Sequence, residues 1–167
     1  MRVRVLFVLC LALSLVTCSR CHQISCPEVD ISVNRYGDMK PSPILKKKTV
    51  VNFFTPAGLI SSLEDTPMGK IDKIIKENPD WQFLFYISCN PGQKGQVMKV
   101  LDKYNCNFSV LLDYKDAFRK ENKRIEKDLT AIGFILGADN NVIALSVIGD
   151  TRSMFDASFK RAKRIAR

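Results

Sequence analysis

Val50-Val51-Asn52-Phe53-Phe54-Thr55-Pro56-Ala57-Gly58-Leu59-Ile60-Ser61-Ser62 opens on an apolar run and closes on small and polar residues. Val50 to Phe54 is β-branched and aromatic, interrupted only by Asn52, and apolar on both alternating faces. A strand of that kind belongs in the middle of a sheet that is covered on both sides. Beyond it, Ser61 or Ser62 offers a helix N-cap, and Ser61-x-x-Glu64 has the spacing of a capping box. The helix is expected to run to Asn78, with Leu63, Ile71, Ile74 and Ile75 on its apolar side and a kink at Pro67.

Outward from this stretch, strands and helices alternate. Upstream, Val29, Ile31 and Val33 alternate with polar residues as a half-buried strand, Asn34 to Asp38 supplies a turn, and Pro41 and Pro43 keep the next piece extended or looped. Downstream, Trp81 to Ile87 is aromatic, β-branched and apolar throughout, a core strand. Val97, Val100, Leu101 and Tyr104 then recur at helical spacing. Phe108 to Leu112 reads as a third strand, Asp113 onward as a polar charged helix, and Ala131 to Leu136 as a fourth strand. Ala138 to Asn141 is a hairpin turn into Val142–Ile148. A last helix places Phe155, Phe159 and Ala162 on one face and its basic residues on the other. The pattern predicts an α/β fold, a three-layer α/β/α sandwich with a central mixed β-sheet. A right-handed crossover makes strands 49–54 and 81–87 parallel neighbours.

The N-terminus reads as an export signal over residues 1–17: a basic start at Arg2 and Arg4, then an apolar run from Val5 to Val16 that is short for a permanent membrane span. Leu15-Val16-Thr17-Cys18 resembles the bacterial lipobox, although Thr17 stands where Gly, Ala or Ser is usual. The resemblance implies acylation of Cys18 and a lipoprotein anchored in the bacterial cell envelope, facing the periplasm, with the membrane as a partner. The alternative is an ordinary signal peptide cut nearby, with Cys18 left as a tail thiol. Residues 18–28 are then a tail or linker, and 29–167 the domain.

The chain carries a formal net charge of +9. Removing residues 1–17 takes away two bases and no acid, so the exported part keeps +7. Bases concentrate at Lys46-Lys47-Lys48, from Arg119 to Lys127 and from Lys160 to Arg167. Such charge favours anionic partners or serves as a solvated face. No basic strand interleaved with aromatics of the kind that stacks bases is present, so nucleic acid is not expected as a partner. Beyond Cys10 in the signal and Cys18, four cysteines remain: Cys21, Cys26, Cys89 and Cys106, enough for two disulfides or none. His22 is the only histidine and has no second ligand pair, so no metal site is expected; a flexible tail or a small Cys21–Cys26 loop is.

In this order the elements resemble a thioredoxin-like domain, of the TlpA-like, redoxin branch of cell-envelope thiol-disulfide oxidoreductases. The resemblance covers nearly all of residues 29–167. Val50-Val51-Asn52-Phe53-Phe54 matches that family's strand into the active site, Pro67 its helix proline and Ser109-Val110-Leu111-Leu112-Asp113 its third-strand motif. Phe134-Ile135-Leu136 with Asp139-Asn140 matches its terminal hairpin. Such proteins place a Cys-x-x-Cys pair at a helix N-terminus, where the helix field lowers a thiol pKa and exposes a thiolate. Counting from Asn52, the pair falls on Gly58-Leu59-Ile60-Ser61; counting back from Pro67, on Leu59 to Ser62. No residue from 50 to 62 is cysteine. The family's cis-proline falls on Ala131, where a cis bond costs about 2.5–4 kcal/mol. The resemblance therefore implies a degenerate site at Gly58, Leu59, Ile60, Ser61, Ser62 and Ala131.

The function expected from this is binding or an accessory role, with no cofactor, through an emptied apolar pocket around Pro56 to Ile60 and toward a protein or peptide partner. The rival is a thiol-dependent oxidoreductase or peroxidase acting through Cys89, whose strand should exit at the same sheet edge. Such a thiol needs a depressed pKa and access. No histidine lies nearby and Lys94 is the nearest cation in sequence, so the bland reading is an incidental or disulfide-bonded cysteine. Cys106 lies at the far end of the intervening helix, roughly 15–20 Å away at 1.5 Å per residue.

Overall fold

A computed structural model describes residues 23–41, 44, 47–125, 128–148 and 154–166. The signal segment, Cys18, Cys21, His22, Pro43, Lys46, Lys127 and Arg167 lie outside the described residues. Strands β1 (Ser32–Asn34), β2 (Gly37–Met39) and β3 (Thr49–Phe54) lead into helices α1 (Pro56–Glu64) and α2 (Lys70–Glu77). There follow β4 (Gln82–Ser88), a 3-10 turn at Pro91–Gln93, α3 (Lys94–Lys103), β5 (Val110–Asp113), α4 (Ala117–Glu121), β6 (Ala131–Leu136), β7 (Val142–Leu145) and α5 (Met154–Ile165).

The strands form one seven-stranded mixed sheet in the order β2-β1-β5-β4-β3-β6-β7. β3 and β4 are parallel neighbours, with Phe54 opposite Ile87, as the crossover rule requires. β6 runs antiparallel on the other side of β3, with Phe54 opposite Ala131 and Thr49 opposite Leu136. All six residues of β3 are buried, which accounts for a strand that is apolar on both faces apart from Thr49 and Asn52.

Alternation along the strands sorts the core into two layers. On one face Val50, Phe54, Phe85, Ile87, Val110, Leu112 and Ile135 meet Leu59, Leu63, Ile71, Val97, Leu101, Phe155, Phe159 and Ala162 from α1, α2, α3 and α5. On the other, Val51, Phe53, Leu84, Tyr86, Leu111, Phe134 and Leu136 meet Phe118 from α4 and Ile24 from the N-terminal segment. Phe118 is the wedge there: its ring stacks 5.4 Å from Phe53 and 4.8 Å from Tyr86.

Asn52, fully buried in β3, accepts a 2.9 Å hydrogen bond from the Ile148 amide. That contact reaches from mid-sheet to the chain beyond β7.

Three expectations are corrected. The helix after β3 does not run through a kink to Asn78. It stops at Glu64, and a new helix begins at Lys70 after Gly69 turns the chain at φ 75°. Pro67 lies between the two helices, because a proline without an N–H is accommodated better outside a helix than within it. The upstream strand is shorter and later than read, and Gly37–Met39 forms a second strand paired with it. Residues 23–28 are not a free tail. Ile24 is buried, its amide donates to the Asn140 carbonyl at 3.1 Å, and the buried Tyr86 hydroxyl donates to the Pro27 carbonyl at 2.8 Å.

Candidate functional site

Parallel β3 and β4 end at one sheet edge, where Thr55 begins α1 and Ser88-Cys89-Asn90 leaves β4. The N-cap of α1 is Thr55, not Ser61 or Ser62. Its side-chain oxygen accepts a hydrogen bond from the Gly58 amide at 3.1 Å, and Pro56 occupies the first helical turn. Thr-Pro is itself a helix-start signature, a cap followed by a residue whose missing N–H is no loss there. Ser61 and Ser62 sit within the helix, Ser61 exposed and Ser62 half-buried.

The loop before β6 closes over this helix start. The Thr55 amide donates to the Thr130 carbonyl at 2.8 Å, extending the β3–β6 ladder by one rung. That carbonyl lies directly on Gly58: a Cβ built at position 58 would stand 2.0 Å from the Thr130 oxygen and 2.7 Å from its carbon. Only glycine admits so close a backbone approach. Ala131 follows with a trans peptide bond, half-buried and paired with Phe54.

The emptied pocket expected around Pro56 to Ile60 is therefore absent at its centre. Gly58 and Leu59 are buried, Pro56 and Ile60 are half-buried, and of these five residues only Ala57 is exposed. A cavity opens elsewhere, at the break between α1 and α2, where Leu63, Pro67, Met68, Ile71, Tyr104 and Cys106 are among its lining residues.

Cys89 sits at this sheet edge, as its strand predicts, but its chemistry is that of a protected thiol. It is 9% exposed and packed in the first core layer. Burial, and then the Asp113 carboxylate, push its pKa up from 9.0 to about 11. Asp113 is occupied structurally: its two carboxylate oxygens each accept a 2.8 Å hydrogen bond, from the Ala117 and Phe118 amides, and so hold the start of α4. Cys26, Cys89 and Cys106 are all free thiols. Burial also raises Cys26 and Cys106 to about 12. Among the described residues no cluster of three or more His, Cys, Asp or Glu could hold a metal.

Strand order, the helix-start geometry and the terminal hairpin together define a thioredoxin-like fold. Solved structures with this fold include a secreted disulfide oxidoreductase of Mycobacterium tuberculosis homologous to Escherichia coli DsbE. It is 15% identical, with a TM-score of 0.53, over 80% of this chain and 94% of that one. A thiol-disulfide oxidoreductase of Bacteroides fragilis is 12% identical, TM-score 0.52, over 80% and 96%. Peroxiredoxin Q of Xanthomonas campestris is 13% identical, TM-score 0.53, over 82% and 92%. No family model and no curated protein matches the sequence. At these identities the likeness establishes the fold. Among the described residues, no helix is long and apolar enough to cross a membrane.

Proposed function

We infer that this chain is a cell-envelope lipoprotein whose thioredoxin-like domain has given up dithiol exchange and acts as a binding or accessory module. The observation that carries this reading is Gly58. It stands where the register counted from Asn52 puts the first sulfur, next to Leu59 where the register counted from Pro67 puts it, and the Thr130 carbonyl occupies the volume a side chain on Gly58 would need. The contact surface is then the shallow outer side of the α1 start, formed by Pro56, Ala57 and Ile60, and the partner is a protein or peptide. Anchoring follows from the Leu15-to-Cys18 stretch.

The alternative through Cys89 is disfavoured by burial and by its pKa. A thiol at about 11 leaves roughly one molecule in ten thousand as thiolate at pH 7, against a few per cent for an exposed cysteine. The test is turnover by the purified chain of an insulin disulfide with dithiothreitol and of hydrogen peroxide with thioredoxin. Rates indistinguishable from the uncatalysed background support the binding reading. Catalysis abolished by Cys89→Ser would establish the enzyme instead.

A further inference from the structure

The opposite edge of the sheet, where β3 and β4 begin and β6 ends, gathers features that the site does not use. Thr49 is paired with Gln82 and with Leu136, so Lys47-Lys48, the start of β4 and the 137–141 hairpin share this edge. The Lys48 carbonyl accepts the Gln82 amide at 2.9 Å, and the Lys48 ammonium lies 5.9 Å from the centre of the Trp81 ring. Helix α5 runs beside α2 in the same direction. Lys70 meets Asp156 at 3.1 Å at one end, and Lys163 donates to the Asn78 side chain at 3.1 Å at the other. Its last turn, with Lys163 and Arg164 both exposed, therefore reaches the edge that carries Trp81 and Lys48. Glu77, Asp80 and Asp139 are the acids nearby in the chain, and Glu77 is paired with Lys73 at 3.8 Å.

The N-terminal segment docks at this same edge. Gln23 bridges Asn141 and the Ile24 amide bonds the Asn140 carbonyl, so the chain enters the domain at the hairpin. Five residue steps separate Gln23 from Cys18, at most about 18 Å of extended chain at roughly 3.6 Å each. An acyl group on Cys18 would hold the hairpin at this edge within about two Debye lengths of the lipid surface.

We propose that the Lys47, Lys48, Lys163 and Arg164 edge is a membrane-docking face for anionic phospholipid headgroups, which turns the α1 start outward into the compartment. The proposal rests on the lipid-anchor reading above. Short tether and basic edge coincide, and clustered bases near a bilayer are drawn to anionic lipid and release counterions on contact. The site edge lies across the length of β4, about 23 Å for seven residues at roughly 3.3 Å each.

Trp81 is the chain's single tryptophan and sits at the proposed face, so it reports docking directly. The full chain, extracted from membranes, is reconstituted on phosphatidylglycerol or phosphatidylcholine vesicles doped with a dansyl-headgroup lipid, and energy transfer from tryptophan is measured. A Trp81→Phe/Asn90→Trp variant moves the donor to the exit loop of β4. Expected is at least twofold more transfer from Trp81 than from position 90 on phosphatidylglycerol. That excess should be lost on phosphatidylcholine, in high salt and in Lys48→Gln/Lys163→Gln/Arg164→Gln. Equal transfer from the two positions, no transfer from either, or indifference to the charge variant overturns the docking face. Intact mass at Cys18 decides acylation separately, so an unacylated chain would sink the anchor reading while the two-edge comparison still decides docking.

Discussion

The carbonyl oxygen of Thr130 occupies the place of a side chain on Gly58, 2.0 Å from where a Cβ would be. Both backbones are fixed, one by the 2.8 Å rung from the Thr55 amide and the other by the helix that Thr55 caps. Gly58→Ala must therefore push the loop away, a backbone strain of the kind that costs about 1–3 kcal/mol or more. Urea unfolding should show that loss. Gly58→Cys/Ser61→Cys should lose as much, and should fail to reduce insulin above background. A double-cysteine variant as stable as the parent would contradict the closed site.

Capping at Thr55 rather than at Ser61 reverses the expected order of two variants. Thr55→Val removes the oxygen that accepts the Gly58 amide and should cost about 1 kcal/mol. Ser61→Ala, on an exposed mid-helix position, should stay within about 0.5 kcal/mol of the parent. The comparison is read from the two denaturation midpoints, and a larger loss at Ser61 would restore the serine cap.

The buried Cys89 and Cys106 and the half-buried Cys26 impose a pH dependence with a definite sign. Folded Cys89 titrates at about 11, and Cys26 and Cys106 at about 12, against an ordinary 9.0. In the unfolded chain they lose protons first, so above about pH 9 the unfolded state binds fewer protons and stability falls as pH rises toward 11–12. Below pH 8 they contribute no slope. Stability measured from pH 8 to 10.5 should fall less steeply in Cys89→Ala/Cys106→Ala than in the parent. Labelling by a disulfide reagent at pH 7.5 should be slow until the chain unfolds.

Long apolar strands were the legible part of this fold. Thr49–Phe54 and Ala131–Leu136 have the bounds that β-branching and apolar continuity predict, because burial on both faces keeps almost every position in them apolar. The break between α1 and α2 was half visible. Pro67 marked the place, but a chain reversal through Gly69 at positive φ is a backbone choice that periodicity does not encode. At the site, the absence of cysteine was plain in the residues. The filling of the vacancy was not, since it comes from a main-chain carbonyl seventy-two positions away, and no side chain announces it. Ser25 and Asn122 were missed for a related reason: two isolated polar residues give no pattern until the fold places them together.

Their pairing is what makes the N-terminal segment part of the domain. Asn122 accepts the Ser25 amide at 2.9 Å, donates to the Ser25 carbonyl at 2.9 Å, and donates to the Phe118 carbonyl at 2.7 Å. One side chain thus satisfies both backbone groups of Ser25 as a neighbouring strand would, from a position 8% exposed. Asn122→Ala leaves partly buried amide and carbonyl groups without partners, at about 1–3 kcal/mol. Tyr86→Phe removes only the hydroxyl that reaches Pro27, at about 1 kcal/mol. Hydrogen exchange distinguishes a local from a global effect. In Asn122→Ala the amides of Ile24 and Ser25 should lose protection while those of β3 and β4 keep theirs, because the sheet and its helices supply most of both core layers. Unchanged protection at Ser25 would mean that the segment's other contacts, at Gln23, Ile24 and Tyr86 among them, hold it, and that the side-chain clasp is redundant.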